Sequence, residues 1–526
     1  MPAGAPPITQ RRNDLDALRS FAMVLGLVVH ASLAFFPIPW IVHDTRPSGV
    51  LPIVFVVIHG FRMPLFFLLS GYFTMLVYRR RGLGSLLHQR VLRIAIPLLL
   101  ALVTIVPLDR AIERHAFRTV RPEPWVADIL AGDADAVRAR LATGVDPDDR
   151  DRIYRRTLLS WADCSNHAAV VAAILDAGAD PNARGMFGDS PLHEVVALGR
   201  DEATAVLLAR GADPGIVNRS GRAPRAMMIP SPDMIAYLAP MIGLPVMDGD
   251  EIARGRERIR ELLGDEPTTV AGRFDEAVLA YWRFLGSDRF RLRVAGTAFH
   301  LVDTNVFDHL WFLWFLCWLV AVFALFAVAG LTPTGRWRWW LVPLSCVPQA
   351  FMGQFMSGAS GPDTSFGVLP QPHLLLYYGC FFFFGAATYA AEGLDTPLGR
   401  RWPILLPLAA VLGVASLVTI GLRPAATVIQ PAFAWTMSLA LIGLFRWLVP
   451  RPNATAAWLA DAAYWMYLVH VPLVLLAQLA VREWPLAGEV KFVLILAAVT
   501  AAMLASYRWC VRHTFVGTLL NGPRPC

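Results

Sequence analysis

The chain has 526 residues, of which 56% are hydrophobic and 11% aromatic, and its mean hydropathy is +0.49. That is too apolar for a water-soluble protein of this size and points to a multi-span membrane protein in a lipid bilayer. The net charge of +7 is carried almost wholly by arginine, which fits basic cytoplasmic loops rather than a nucleic-acid partner.

Residues 1–13 are polar, and the first apolar segment after them reads as retained rather than cleaved. Apolar runs of spanning length fall near 18–38, 51–77, 91–108, 306–330, 338–356, 373–391, 402–421, 427–449, 456–480 and 488–510. They predict an all-α fold: a polytopic bundle of about ten transmembrane helices with an inserted soluble, α-helical repeat domain. Arg11 and Arg12, Arg79–Arg81 with Arg90 and Arg93, Arg336 and Arg338, Arg400 and Arg401, Arg446 and Arg451, and Arg508 and Arg512 all fall on one side if both termini are cytoplasmic. The expected organisation is 12–108 as the first membrane part, 120–245 as the insert, 246–300 as a charged helical connector, and 301–516 as the second membrane part.

The first span, 15–37, carries ionisable groups that are costly in hydrocarbon. Arg19 and His30 are eleven positions apart, which at about 100° per residue returns to within roughly 20° of one face, His30 lying roughly 16 Å deeper. Asp16 falls near the same stripe, where it either orients Arg19 or simply pairs with it.

The insert repeats. Gly-Val-Asp-Pro from Gly144, Gly-Ala-Asp-Pro from Gly178 and Gly-Ala-Asp-Pro from Gly211 recur at intervals of 34 and 33 residues. With the Ser190-Pro-Leu-His193 run between them, this resembles the ankyrin repeat. Units at 157–182 and 188–214 are clear, and those near 125–147 and 218–238 are degenerate, as capping units are. His193 is read as ordering a repeat turn.

Further motifs lie in the spans. Ser70-Gly71 permits close helix approach, and Arg62 falls on the outer half of the same helix. Arg90 and Arg93, three apart, could share a face suited to phosphate. Asp308-His309 opens the fourth span, Tyr467 and His470 are neighbours in the ninth, and His373 opens the sixth. The six cysteines are scattered without CxxC spacing, and the 12 histidines show no HExxH, so neither a disulfide framework nor a metal site is expected.

The ordered set LDALRSFAMVLGLVVH, RMPLFFLLSGYF, RVLRIAIP, HLWFL and YWMYLVHVP resembles the bacterial acyltransferase 3 family, closest to its glucan biosynthesis protein C branch. The resemblance covers 12–108 and 300–520, and the insert departs from it. It implies transfer of an acyl group, acetyl- or succinyl-like, from cytoplasmic acyl-CoA to a carbohydrate hydroxyl at the opposite face, with no bound cofactor. The Arg-x10-His pair essential in that family falls on Arg19 and His30.

On that reading Arg19, Arg90 and Arg93 hold donor phosphates. His30 acts as general base or as a covalent acyl carrier. Arg62, His309, Tyr467 and His470 are acceptor-side candidates. The repeats then sit on the periplasmic face and bind the acceptor or a protein partner. The rival readings are a transporter using the same polar face and a membrane-anchored interaction scaffold.

Overall fold

The computed structural model describes residues 12–36, 38–119, 123–185, 188–219, 221–228, 230–264, 273–294, 297–333, 335–352, 361–365, 367–420, 422–451 and 453–522. Arg11, Pro37, Gly421, the end of the fifth expected span and the first residues of the insert, 120–122, lie outside them.

The described residues are mostly helical, with almost no strand. In order, the bundle opens with α1 (Asn13–Ser32), α2 (Leu51–Arg90) and α3 (Ile96–Thr119). Asp14 and Asp16 in the first turn of α1 suit the positive end of the helix dipole. Within α2, Gly82 takes φ +77, which breaks the run into two arms. A straight helix would hold residues 74 and 90 about 24 Å apart. Arg90 Nη2 instead donates to Thr74 Oγ1 at 2.9 Å, so the chain doubles back. The second arm passes through a π-helical turn, Val91–Ala95, into α3.

The insert stacks α4 (Pro124–Ala131), α5 (Ala134–Ala142), α6 (Leu158–Ser165), α7 (Ala168–Asp176), α8 (Pro191–Leu198), α9 (Asp201–Ala209) and α10 (Pro232–Leu238). It has its own core, in which Trp161, Leu158, Val170, Ile174, Leu192 and Val195 are buried. His193 caps α8: Ser190 N donates to its Nδ1 at 3.0 Å, and its Nε2 donates to Arg222 O at 2.9 Å.

The connector departs from expectation. After α11 (Gly249–Leu262) and α12 (Arg273–Leu285) comes an antiparallel hairpin, β1 (Arg291–Val294) with β2 (Thr297–His300). The region is therefore not wholly helical.

The second membrane part holds α13 (Trp311–Val328), α14 (Leu341–Leu344), α15 (Cys346–Gln349), α16 (Pro372–Glu392), α17 (Trp402–Val418), α18 (Arg423–Leu448), α19 (Ala454–Val481), α20 (Gly488–Ser506) and α21 (Phe515–Asn521). Among the described residues seven helical runs are long and apolar enough to cross a membrane, the bent 51–119 run counting as one. The chain is a multi-pass membrane protein. The fifth expected span, 338–356, is not one helix: Pro343 and Pro348 lack the amide hydrogens a ladder needs, and α14 and α15 are single turns. These pieces still run between the two ends of the bundle. Arg338 pairs with Glu392, and Gln349 donates to Gln430 Oε1 at 2.8 Å.

Two glycines set the central helix contact. A Cβ on Gly71 would overlap the carbonyl oxygen of Phe382, and one on Gly385 would overlap that of Leu68. Backbones of α2 and α16 therefore touch, as the Ser70-Gly71 pair suggests.

The insert is fastened to one end of the bundle. Met241 packs with Ile41, Val42, Ile112, Ala116, Val471 and Leu475. Asn305 Nδ2 donates to Tyr237 Oη at 2.6 Å, and His43 Nε2 to Met241 O at 2.7 Å. At the same end Lys491, wholly buried, pairs with Asp44 at 2.9 Å and fixes the 38–50 loop to α20.

Candidate functional site

The site grows from α1. Gly26 lies one turn before His30, and a Cβ there would stand 2.6 Å from Arg62 Nη1. The glycine thus leaves room for the Arg62 guanidinium to lie across α1, brought there by α2.

His30 faces two hollows. A tight one, about 30 Å³, is lined by Gly26, His30, Arg62, His309, Tyr467 and His470 among others. A larger one, about 200 Å³, opens towards the insert and shares His30, Arg62 and His309 with the first. Its far wall is built from Asp109, Glu113 and Asp308, with Tyr237 and Met241 supplied by the insert.

Three imidazoles stand in file. Ring centroids of His30 and His470 are 5.1 Å apart, as are those of His470 and His309. Behind them His309 Nδ1 lies 3.3 Å from Asp109 Oδ2. A carbonyl only accepts, so the neighbours fix the protons. His309 Nε2 donates to Leu468 O at 3.1 Å, and His470 Nδ1 donates to Tyr467 O at 2.8 Å. Tyr467 Oη in turn donates to His309 O at 2.8 Å. What is left over among the described residues is His30 Nδ1, His309 Nδ1, His470 Nε2, Arg62 Nε and both Asp109 carboxyl oxygens, buried without a hydrogen-bond partner. Such groups are expensive in a membrane interior and mark a working surface.

Arg110 organises the wall beside them. It pairs with Asp308 at 2.7 Å and Glu113 at 3.0 Å, and lies 5.4 Å over the Tyr237 ring.

Comparison with known proteins sets this geometry in context. The family model described as Acyltransferase domain matches residues 12–133 and 270–508. The chain belongs to the acyltransferase domain family. An ankyrin repeat matches 187–219, within the insert. Over 97 residues the chain is 39% identical to the Glucans biosynthesis protein C of Shigella dysenteriae serotype 1 (strain Sd197). It is 38% identical to the protein of that name in Escherichia coli (strain SMS-3-5 / SECEC), also over 97 residues. Each match covers 18% of this chain and 25% of the relative, so the chain spans about a quarter of the length of the curated relatives it matches.

At the other end of this acyltransferase-domain chain the expected arginines converge. Arg19, its side chain 39% exposed, pairs with Asp16 at 3.5 Å and reaches Ala460 O at 3.3 Å. Arg93 lies within electrostatic reach of Arg19 and Arg81, and Arg90 of Arg93. Gly522 leaves room for the Arg93 guanidinium, which a Cβ there would strike.

His373 is not part of either group. It is buried against Tyr281, whose hydroxyl lies 2.8 Å from its Nδ1. Sequence reasoning missed Asp109, Glu113 and Tyr237. The third span is expected to end at 108, whereas α3 runs on to Thr119. The i, i+4 carboxylates at 109 and 113 continue its helical pattern and were the available signal.

Proposed function

We propose that the protein is an integral membrane O-acyltransferase. It takes an acetyl- or succinyl-like group from acyl-CoA at the Arg19–Arg90–Arg93 end and delivers it to a carbohydrate hydroxyl at the insert end. Both termini then lie in the cytoplasm, and the repeats lie on the outer face of a bacterial inner membrane. The observation that carries this reading is that His30 and Arg62 line both hollows, the tight one and the one open to the insert. The named relatives' connection with glucans biosynthesis supports a carbohydrate acceptor.

The chemistry follows from what faces the hollows. Guanidinium forks suit the phosphates of the donor nucleotide. The acceptor oxygen attacks the thioester carbonyl while His30 takes the hydroxyl proton. Negative charge gathers on the carbonyl oxygen, and Arg62 is the buried cation beside it. The C–S bond then breaks, the thiolate of CoA leaves, and it accepts the proton from His30. A covalent acyl-His30 step would divide the same transfer in two.

Purified protein in lipid, given acyl-CoA and glucose oligosaccharides, tests this. Acylated sugar should form, and His30→Ala should abolish it. Donor consumption unchanged in His30→Ala would remove His30 from the chemistry. No acylated product with any donor would remove the function.

A further inference from the structure

A second cavity, about 300 Å³, lies within the insert. Its walls are the turns at 148–157, 183–185 and 189–191 and the first helices of two repeats, α6 and α8. The 38–50 loop of the bundle closes it through Ile38, Pro39 and His43. This is the face on which repeat arrays usually seat a protein. Here that face is partly covered, and the space left is at the small-ligand end of the pocket range, about 300–1,000 Å³.

The lining is mixed in charge. Arg150, Arg155 and Arg184 alternate with Asp148, Asp163 and Asp189. An anion site would gather arginines alone, and a cation site carboxylates alone. Alternating donors and acceptors suit a neutral molecule with many hydroxyls. An aromatic edge is present too: Tyr154 lies 4.9 Å from His43, ring to ring.

Most polar groups in the wall are already engaged. Arg156 Nη2 donates to Glu194 Oε2 at 2.6 Å and to Ser160 O at 2.9 Å. Asp189 accepts from Asn218 at 2.8 Å. Arg156 Nε and the carboxyl of Asp163 are exceptions, and Asp163 is the one with its whole polar end unengaged. It is 0% exposed, and among the described residues neither carboxyl oxygen has a hydrogen-bond partner. A native fold rarely leaves such a group idle, and its position in the cavity wall gives it a use.

We propose that this cavity is a carbohydrate-binding subsite, in which Asp163 accepts hydroxyl hydrogens and Arg184 holds the open edge. Ile38 and Pro39 line both this cavity and the one containing His30. A glycan held here can therefore extend past the 38–50 loop towards His30. That the bound sugar is the acceptor rests on the acyl-transfer reading. The binding itself does not.

The test is calorimetric titration of glucose oligosaccharides into the full-length His30→Ala protein in lipid nanodiscs. Binding should be retained in that background and weakened about tenfold or more by Asp163→Asn. Arg184→Ala, at an exposed position, should weaken it with the fold intact. Affinity unchanged in both variants, or no binding by any of these sugars, overturns the assignment. If sugar binds as described but the wild type transfers no acyl group, the cavity assignment stands and the acyl-transfer reading falls. If acyl transfer proceeds with unaltered binding in both variants, the reverse holds.

Discussion

His470 stands 5.1 Å from His30, ring to ring, with its Nδ1 engaged by the Tyr467 carbonyl and its Nε2 unpartnered among the described residues. The two imidazoles come from α1 and α19, remote in sequence, and share one small hollow. His470→Gln keeps a polar side chain there but removes the ring. We expect kcat for acyl transfer to fall about 10²-fold, the lower end for losing a positioned acid–base group, with the KM for acyl-CoA unchanged. Steady-state kinetics with varied donor reads both.

Gly26 offers a sharper test of Arg62. A methyl at 26 meets only the far end of the Arg62 side chain, at 2.6 Å from Nη1. That end can move, so Gly26→Ala should melt near the wild type. The guanidinium, however, is displaced from the hollow, and kcat should drop about 10²–10³-fold, as when an oxyanion donor is lost. Equal loss in Arg62→Ala, and little further loss in the double variant, would show that both changes act through one group.

The arginines at the opposite end should act on donor binding. Arg93→Ala and Arg90→Ala should each raise the KM for acyl-CoA about tenfold or more, the worth of a charge-assisted hydrogen bond, with little change in kcat. The effect should shrink as salt rises, because part of Arg93 is open to solvent. Titrating salt in the kinetic assay checks this.

Much of this arrangement is legible in the sequence because polar groups stand out against apolar runs. Arg19, His30, Arg62, His309, Tyr467 and His470 interrupt hydrophobic spans, and the structure brings the last five of them around one hollow. Asp109 and Glu113 escaped notice because they lie just past the apolar run, where a carboxylate is ordinary. Tyr237 and Asp163 sit in a water-exposed domain, where polarity carries no signal and only tertiary packing singles them out. The broken fifth span was hidden for the opposite reason. Its composition is largely apolar, and hydropathy does not register that Pro343 and Pro348 interrupt the ladder.

The unpartnered carboxyl of Asp163 has a cost that pH can reveal. Burial pushes its pKa well above the usual value of 3.8. A carboxyl with a raised folded pKa takes stability from the fold as pH climbs from the unfolded value to the folded one. Asp163→Asn removes that loss. The variant should therefore be more stable than the wild type at neutral pH, with the advantage shrinking as pH falls towards about 4. Thermal melts across that range read the sign.

Lys491 and Asp44 form the opposite case, a buried pair that is satisfied. Nζ bonds both Asp44 oxygens, at 2.9 and 3.0 Å, and Arg482 O at 2.7 Å. Lys491→Met should cost about 3–5 kcal/mol by stranding the Asp44 carboxylate. Asp44→Asn placed on top should recover part of it. Denaturation in detergent checks the pair.

The central claim is that His30 is where an acyl group changes hands between the two ends of the bundle. Its most direct measurement uses vesicles with the insert facing the lumen, glucose oligosaccharides trapped inside and radiolabelled acyl-CoA outside. The account predicts labelled sugar in the lumen with the wild type and none with His30→Ala, while sugar binding persists in the variant. Labelled luminal sugar formed at the wild-type rate by His30→Ala would contradict it.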